Sequence, residues 1–192
     1  MTWYNNSWNY RKAITVSNSG STLSNYQTLI ILDTATLITA TKLRSDCGDI
    51  RITDSDGSTL LDYWIEPGTY SSSSATRIWV EITSVPTGTK TIYLYYGNSS
   101  ATTTSNGTNT FDFFEDFANL SKWTAAGSQG SLSIADGTAA FVIYRNGDYR
   151  ITSPFSMPSG TNYAIEFRYK QYDPCNGGAP CYGGYFLAGA SQ

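Results

Sequence analysis

The chain has 192 residues, enough for one or two cored domains, but only 14% of them are charged and the formal net charge is −3. So weak a field, with 12 Lys and Arg in all, argues against the phosphate neutralisation on which nucleic-acid binding rests. No run approaches the roughly 20 apolar residues of a membrane-spanning helix, and the lack of histidine removes His-activated nucleophiles, His-ligated zinc and the usual base near neutral pH.

Alternation with a period of two runs through most of the chain. Residues 10–16 predict a strand with Tyr10, Lys12, Ile14 and Val16 on one face. Residues 26–32 predict a second strand, apolar enough to be buried on both faces. Helical spacing shows only around residues 34–41. Strands expected over 49–53 and 60–66 flank Asp54-Ser55-Asp56-Gly57-Ser58, a hairpin signal. Residues 76–83 and 90–96 alternate again around the turn Val85-Pro86-Thr87-Gly88. The polar run 97–110 lacks the apolar residues to pack a core, which sets the expected boundary between a domain over 1–110 and a second β region over 111–192. In that region strands are expected over 111–117, 130–134, 139–144, 149–152, 163–169 and 185–187. The pattern predicts an all-β fold, an antiparallel sandwich or jelly roll, with a second, incomplete jelly-roll-like β region.

Cys175 and Cys181 bracket Asn-Gly-Gly-Ala-Pro, a loop able to fold back, so a disulfide and an oxidising compartment are expected there; Cys47 is expected as a small buried apolar residue. Sequons begin at Asn5, Asn98, Asn106 and Asn119 and would suit a secreted glycoprotein. The opening Met1-Thr2-Trp3-Tyr4 has neither a basic n-region nor an apolar h-region, so a secreted protein would carry this numbering as its mature chain. Structural calcium is the cofactor to weigh: Asp54 and Asp56 put two carboxylates on one turn, and Glu115 and Asp116 are adjacent. The competing reading of Asp54 to Ser58 is a plain turn, since Asp-Gly is what hairpins use.

For catalysis on sugars two carboxylates must face each other about 5 to 9 Å apart. Glu166 and Glu81 are each alone in their strands, and Asp112, Glu115 and Asp116 sit among phenylalanines, so no catalytic residue is assigned. Sugar-binding proteins stack CH faces on aromatic rings and bond the rim with amides and hydroxyls. Most of the five tryptophans are expected in the core; Trp3, Tyr4, Tyr172, Tyr182 and Tyr185 are the candidates for an exposed platform.

Several blocks in order, Trp8-Asn9-Tyr10-Arg11-Lys12-Ala13-Ile14-Thr15-Val16, Asp46-Cys47-Gly48-Asp49-Ile50-Arg51-Ile52, Leu61-Asp62-Tyr63-Trp64-Ile65-Glu66 and Ile92-Tyr93-Leu94-Tyr95-Tyr96-Gly97-Asn98, resemble domain of unknown function 2341 over about residues 8–117. The resemblance implies a secreted or surface protein, often beside lectin-like modules, and carries no assigned activity. Phe113-Phe114-Glu115-Asp116-Phe117 with Leu120-Ser121-Lys122-Trp123 resembles the start of a concanavalin or laminin-G-like jelly roll. Such a sandwich needs about twice the residues that follow, which implies a fragment, completion on the first domain, or strands supplied by neighbours.

The expected function is therefore a non-catalytic extracellular module for carbohydrate binding or adhesion, with a cell-surface glycan as partner. The alternative is a structural subunit of an extracellular filament or surface assembly, completed by copies of itself. A polysaccharide hydrolase stands third.

Overall fold

Apolar side chains at alternate positions of six strands face one another and form the core of the first part of the chain. The strands are β1 (Tyr10–Asn18), β2 (Leu23–Leu32), β3 (Arg51–Thr53), β4 (Tyr63–Ile65), β5 (Thr76–Val85) and β6 (Gly88–Tyr96). The computed structural model describes residues 2–127, 130–135, 138–143 and 149–153. The chain divides into two units, Met1–Ala118 and Asn119–Gln192.

In the first unit two antiparallel sheets, ordered β1-β6-β3 and β2-β5-β4, share one core. Ile52, Ile92 and Leu94 enter it from the first sheet, and Ile78, Val80 and Ile82 from the second, all fully buried. Burial of each such side chain contributes about 1.5–3 kcal/mol. The fold is an all-β sandwich, as the alternation predicted. Pro86-Thr87 joins β5 to β6, with Gly88 at φ 98°, a backbone region open to glycine. The weak helical signal is one short helix, α1 (Thr34–Thr39), whose first turn is capped by Asp33 accepting from Thr36 N–H at 3.0 Å. Cys47 is fully buried.

Four expectations differ from what forms. Residues 49–53 and 60–66 do not make a hairpin ladder: β3 pairs with β6 and β4 with β5, in different sheets. The Asp54 to Ser58 turn carries the chain across the sandwich, leaving one bridge between Thr53 and Leu60. The apolar strand β2 is not buried on both faces. It sits at a sheet edge with Ile30 and Leu32 inward and Ile31 54% exposed.

The polar run 97–110 packs through one small apolar residue, Ala101, buried against Trp8, Tyr93 and Tyr95, and is otherwise a strap fixed by hydrogen bonds. Asp49 accepts from Gly97 and Asn98 N–H at 2.7 and 3.2 Å. Arg44 donates to Ser99 O at 2.6 Å and Arg51 to Thr102 O at 2.7 Å. Ser105 Oγ accepts from Ile65 N–H, and Asn106 N–H donates to Tyr63 O, both at 2.8 Å, so the strap satisfies the outer edge of β4. It ends in α2 (Gly107–Thr110), and residues 111–117 form no strand. Phe111 and Phe114 instead stack 6.0 Å apart and meet Trp64 edge-on at 5.9 and 5.0 Å. Three-residue spacing lets both rings cover one patch, which strand alternation would not allow.

In the second unit the described strands are β7 (Thr124–Gly127), β8 (Gly130–Ala135), β9 (Thr138–Ile143) and β10 (Tyr149–Thr152). They form two antiparallel pairs, β10-β7 and β8-β9. The strands expected over 163–169 and 185–187 lie outside the described residues.

Candidate functional site

The strap positions a shallow groove of about 320 Å³ beside the end of β4. Trp64 and Ile65 enter from β4, Pro67 and Tyr70 from the following loop, Thr103 and Ser105 from the strap, and Asp46 from the turn before β3. Trp64 is half-buried because Phe111 and Phe114 brace its ring, whereas Tyr70 is 37% exposed. The groove thus combines two aromatic rings with two hydroxyls and a carboxylate.

Arg44 organises its charged side. The guanidinium bonds both oxygens of Asp46, Nε to Oδ1 at 2.9 Å and Nη2 to Oδ2 at 2.8 Å. Its Nη1 holds the strap at Ser99 O. The Arg44 hydrogen bonds, with a further one from Gly48 N–H, bring the Asp46 carboxyl down to about 2. Asp46 is therefore ionised near neutral pH, an acceptor and not a proton donor.

A second aromatic cluster lies on the outer face of β1-β6-β3, buried at Trp8, Tyr93 and Tyr95 and open at Trp3, which is 37% exposed. Trp8 is buried and donates from Nε1 to Asp49 O at 2.6 Å. Tyr4 packs edge-on against Trp8, and Trp3 edge-on against Tyr95. Arg11 lies 5.0, 4.6 and 5.9 Å from the ring centres of Trp3, Tyr93 and Tyr95. The structure thus places the ligand candidates Trp3 and Tyr4 as a cover over their own sheet. Tyr172, Tyr182, Tyr185, Cys175 and Cys181 lie outside the described residues.

The acidic candidates serve their own turns. Asp54 accepts from Lys90 Nζ at 2.9 Å and from Ser55 N–H at 2.5 Å. Asp56 takes Ser58 N–H and Thr59 N–H, each at 2.9 Å, and the Thr59 hydroxyl at 2.6 Å. Glu115 accepts from Phe117 N–H and Asp116 from Ala118 N–H. Among the described residues no three acidic or Cys side chains gather as a metal site. The sequon asparagines behave alike: Asn5, Asn98 and Asn119 each accept from the N–H two residues on, and Asn106 caps α2 through Asn109 N–H.

These bonds make the fold acid-sensitive. Asp33, Asp46, Asp54 and Asp56 all lie below their ordinary value. For Asp56 the leading cause is the Thr59 hydroxyl; for Asp54, burial pushes upward but Lys90 and Ser55 outweigh it. A depressed folded-state value contributes stability that is full above the unfolded value near 3.8 and lost as pH falls through the folded one. Glu81 opposes them in part, raised by burial and then by Asp62 and Asp112. With no histidine to titrate, the melting midpoint should be level from about pH 6 to 8 and fall between about pH 4 and 2. Circular-dichroism melts across that range check this; a midpoint that moves between pH 6 and 8 contradicts it.

Sequence reasoning counts Trp64 among five tryptophans available for a platform, most of them expected in the core, and passes over Tyr70. The available signal was Tyr70 in the run Gly68-Thr69-Tyr70-Ser71-Ser72-Ser73-Ser74, an aromatic ring in a loop with no apolar neighbours to bury it. Of the expected span 8–117, the part before residue 46, which carries β1, β2 and α1, lies upstream of the span matched by a known family. Residues 46–126, from the groove carboxylate through the strap into the start of the second unit, match the family described as a domain of unknown function (DUF2341), and no curated protein or solved structure matches the chain.

Proposed function

We propose that the chain is a non-catalytic extracellular module that binds carbohydrate or mediates adhesion through glycans, with the Trp64–Tyr70 groove as its site. The observation that carries this reading is the pairing of two aromatic rings with Asp46, Thr103 and Ser105 around one concavity. Sugar rings offer apolar CH faces to aromatic side chains and hydroxyls to acceptors and donors at the rim. The volume, about 320 Å³, suits one or two sugar units. Asp46 is the one carboxylate among the lining residues, and Arg44 keeps it ionised. A lone carboxylate of that kind supplies neither the general acid nor the facing partner that glycoside hydrolysis needs, which favours binding over turnover.

Screening the full chain on a glycan array, followed by calorimetry on the hits, tests the reading. Tyr70→Ala should weaken binding at least about tenfold while leaving the melting midpoint within about 1 °C, because the ring is a loop side chain outside the core. If no glycan binds at millimolar concentration, or if Tyr70→Ala binds as well as the parent, the groove is not the site.

A further inference from the structure

The sandwich has four sheet edges, and three of them carry a device that discourages pairing with another chain. β3 is three residues long. β4, equally short, is covered by Ser105 and Asn106 of the strap. β1 is nine residues long but carries Arg11 and Lys12, the latter exposed. Short length, cover and charge are the recognised protections of an edge strand.

The fourth edge, β2, has none of them. It runs for ten residues, Leu-Ser-Asn-Tyr-Gln-Thr-Leu-Ile-Ile-Leu, with no charge and no proline; Asn25, at φ 47°, interrupts its ladder with β5, so the regular edge is residues 26–32. Among the described residues nothing pairs with the side that faces away from β5. Two of its four exposed side chains are large: Tyr26 is 48% and Ile31 54% exposed. On the outer face the row Leu29-Trp79-Trp64 continues the apolar surface inward from the edge, whereas Ile31 lies opposite Arg77. The segment has the composition of a central strand and occupies an edge.

We propose that β2 pairs antiparallel with β2 of a second copy of this chain, extending β2-β5-β4 into a six-stranded sheet across a two-fold axis. Charge favours β2 over β1 for a contact between copies. An uncharged strand meets its own copy without repulsion, whereas two copies of β1 would bring Arg11 and Lys12 together. Inward residues must oppose inward residues, because a slip of one residue turns the apolar set to the wrong face. The axis therefore passes through a residue of β2 and not between two. An edge-to-edge contact is smaller than a standard interface, so the dimer is concentration-dependent. The proposal is independent of glycan binding, since the groove lies at the opposite edge of the sheet.

Light scattering of the full chain over a micromolar to sub-millimolar series should show the mass rising from one chain to two. Ile31→Lys places a like charge twice across the axis and should raise the dissociation constant at least about tenfold. Thr15→Lys, the same added charge on exposed β1, should leave it unchanged. At concentrations where the parent is a single chain both variants should keep its melting curve, and β2 amides should gain exchange protection as the dimer forms. A single-chain mass throughout overturns the proposal, as does a dimer that Thr15→Lys weakens as much as Ile31→Lys.

Discussion

Asp49→Ala should lower the unfolding free energy by about 3 kcal/mol and loosen the strap along its whole length. The side chain is 1% exposed and accepts three backbone donors: Arg44 N–H at 3.1 Å, and the N–H groups of Gly97 and Asn98. Alanine leaves these donors without a partner in a site closed to water, at about 1–3 kcal/mol for a fully buried group. Asn keeps one acceptor oxygen, so Asp49→Asn should lose roughly half as much. Because the strap supplies Thr103 and Ser105 to the groove, Asp49→Ala should also speed amide exchange from Gly97 to Asn106. Urea unfolding and exchange monitored by mass spectrometry measure the two effects. A loss below about 1 kcal/mol, or an unchanged strap, would show that the strap is held mainly by Arg44 and Arg51.

Trp8→Ala should cost about 3–5 kcal/mol, the range for emptying a buried aromatic site. Trp8 is 7% exposed and packs with Tyr4, Tyr93, Tyr95 and Ala101, and the Arg51 guanidinium lies 5.2 Å from its ring centre. Its indole N–H also ties the segment before β1 to Asp49 O. Trp8→Phe keeps most of the ring and loses that hydrogen bond, for about 1–2 kcal/mol. The comparison has a structural consequence, because Trp8 and β1 lie upstream of the matched span 46–126. If Trp8→Ala destabilises as expected, the cooperative unit begins before residue 10, and a chain trimmed to the matched span would lack β1, β2 and the cover over β6. Chemical denaturation followed by tryptophan fluorescence decides this; a loss under about 1 kcal/mol would make residues 2–8 a dispensable tail.

Much of the first unit was readable because burial in a sheet imposes a period of two. Ile78, Val80 and Ile82 alternate in sequence and are all fully buried in β5. Ile92 and Leu94 do the same in β6, and Pro86-Thr87 announced the turn between these strands. The reading failed where partners were chosen from sequence neighbourhood. Asp54 to Ser58 does close a turn, with Asp54 N–H bonded to Thr59 O and Leu61 N–H to Ile52 O, yet the ladder partners of β3 and β4 are β6 and β5. Only long-range pairing decides which sheet a strand joins.

The candidate groove was less legible than the fold. Trp64 and Tyr70 are six residues apart, but Thr103 and Ser105 come from a segment whose composition suggested a linker. Its attachment depends on Asp49, Arg44 and Arg51, side chains distant in sequence that bond backbone groups of the strap. Backbone donors and acceptors are the same in every residue, so such a fastening leaves no pattern in the attached segment.

By itself the sequence determined the all-β character, the inward face of most strands and the burial of Cys47, because these follow from side-chain type and local period. The tertiary structure decided the rest: the crossing of β3 and β4 into different sheets, the strap, the groove it walls and the edge of β2, bare among the described residues. Each depends on which backbone groups find partners far along the chain, and that is set by closure of the sandwich and not by any one segment.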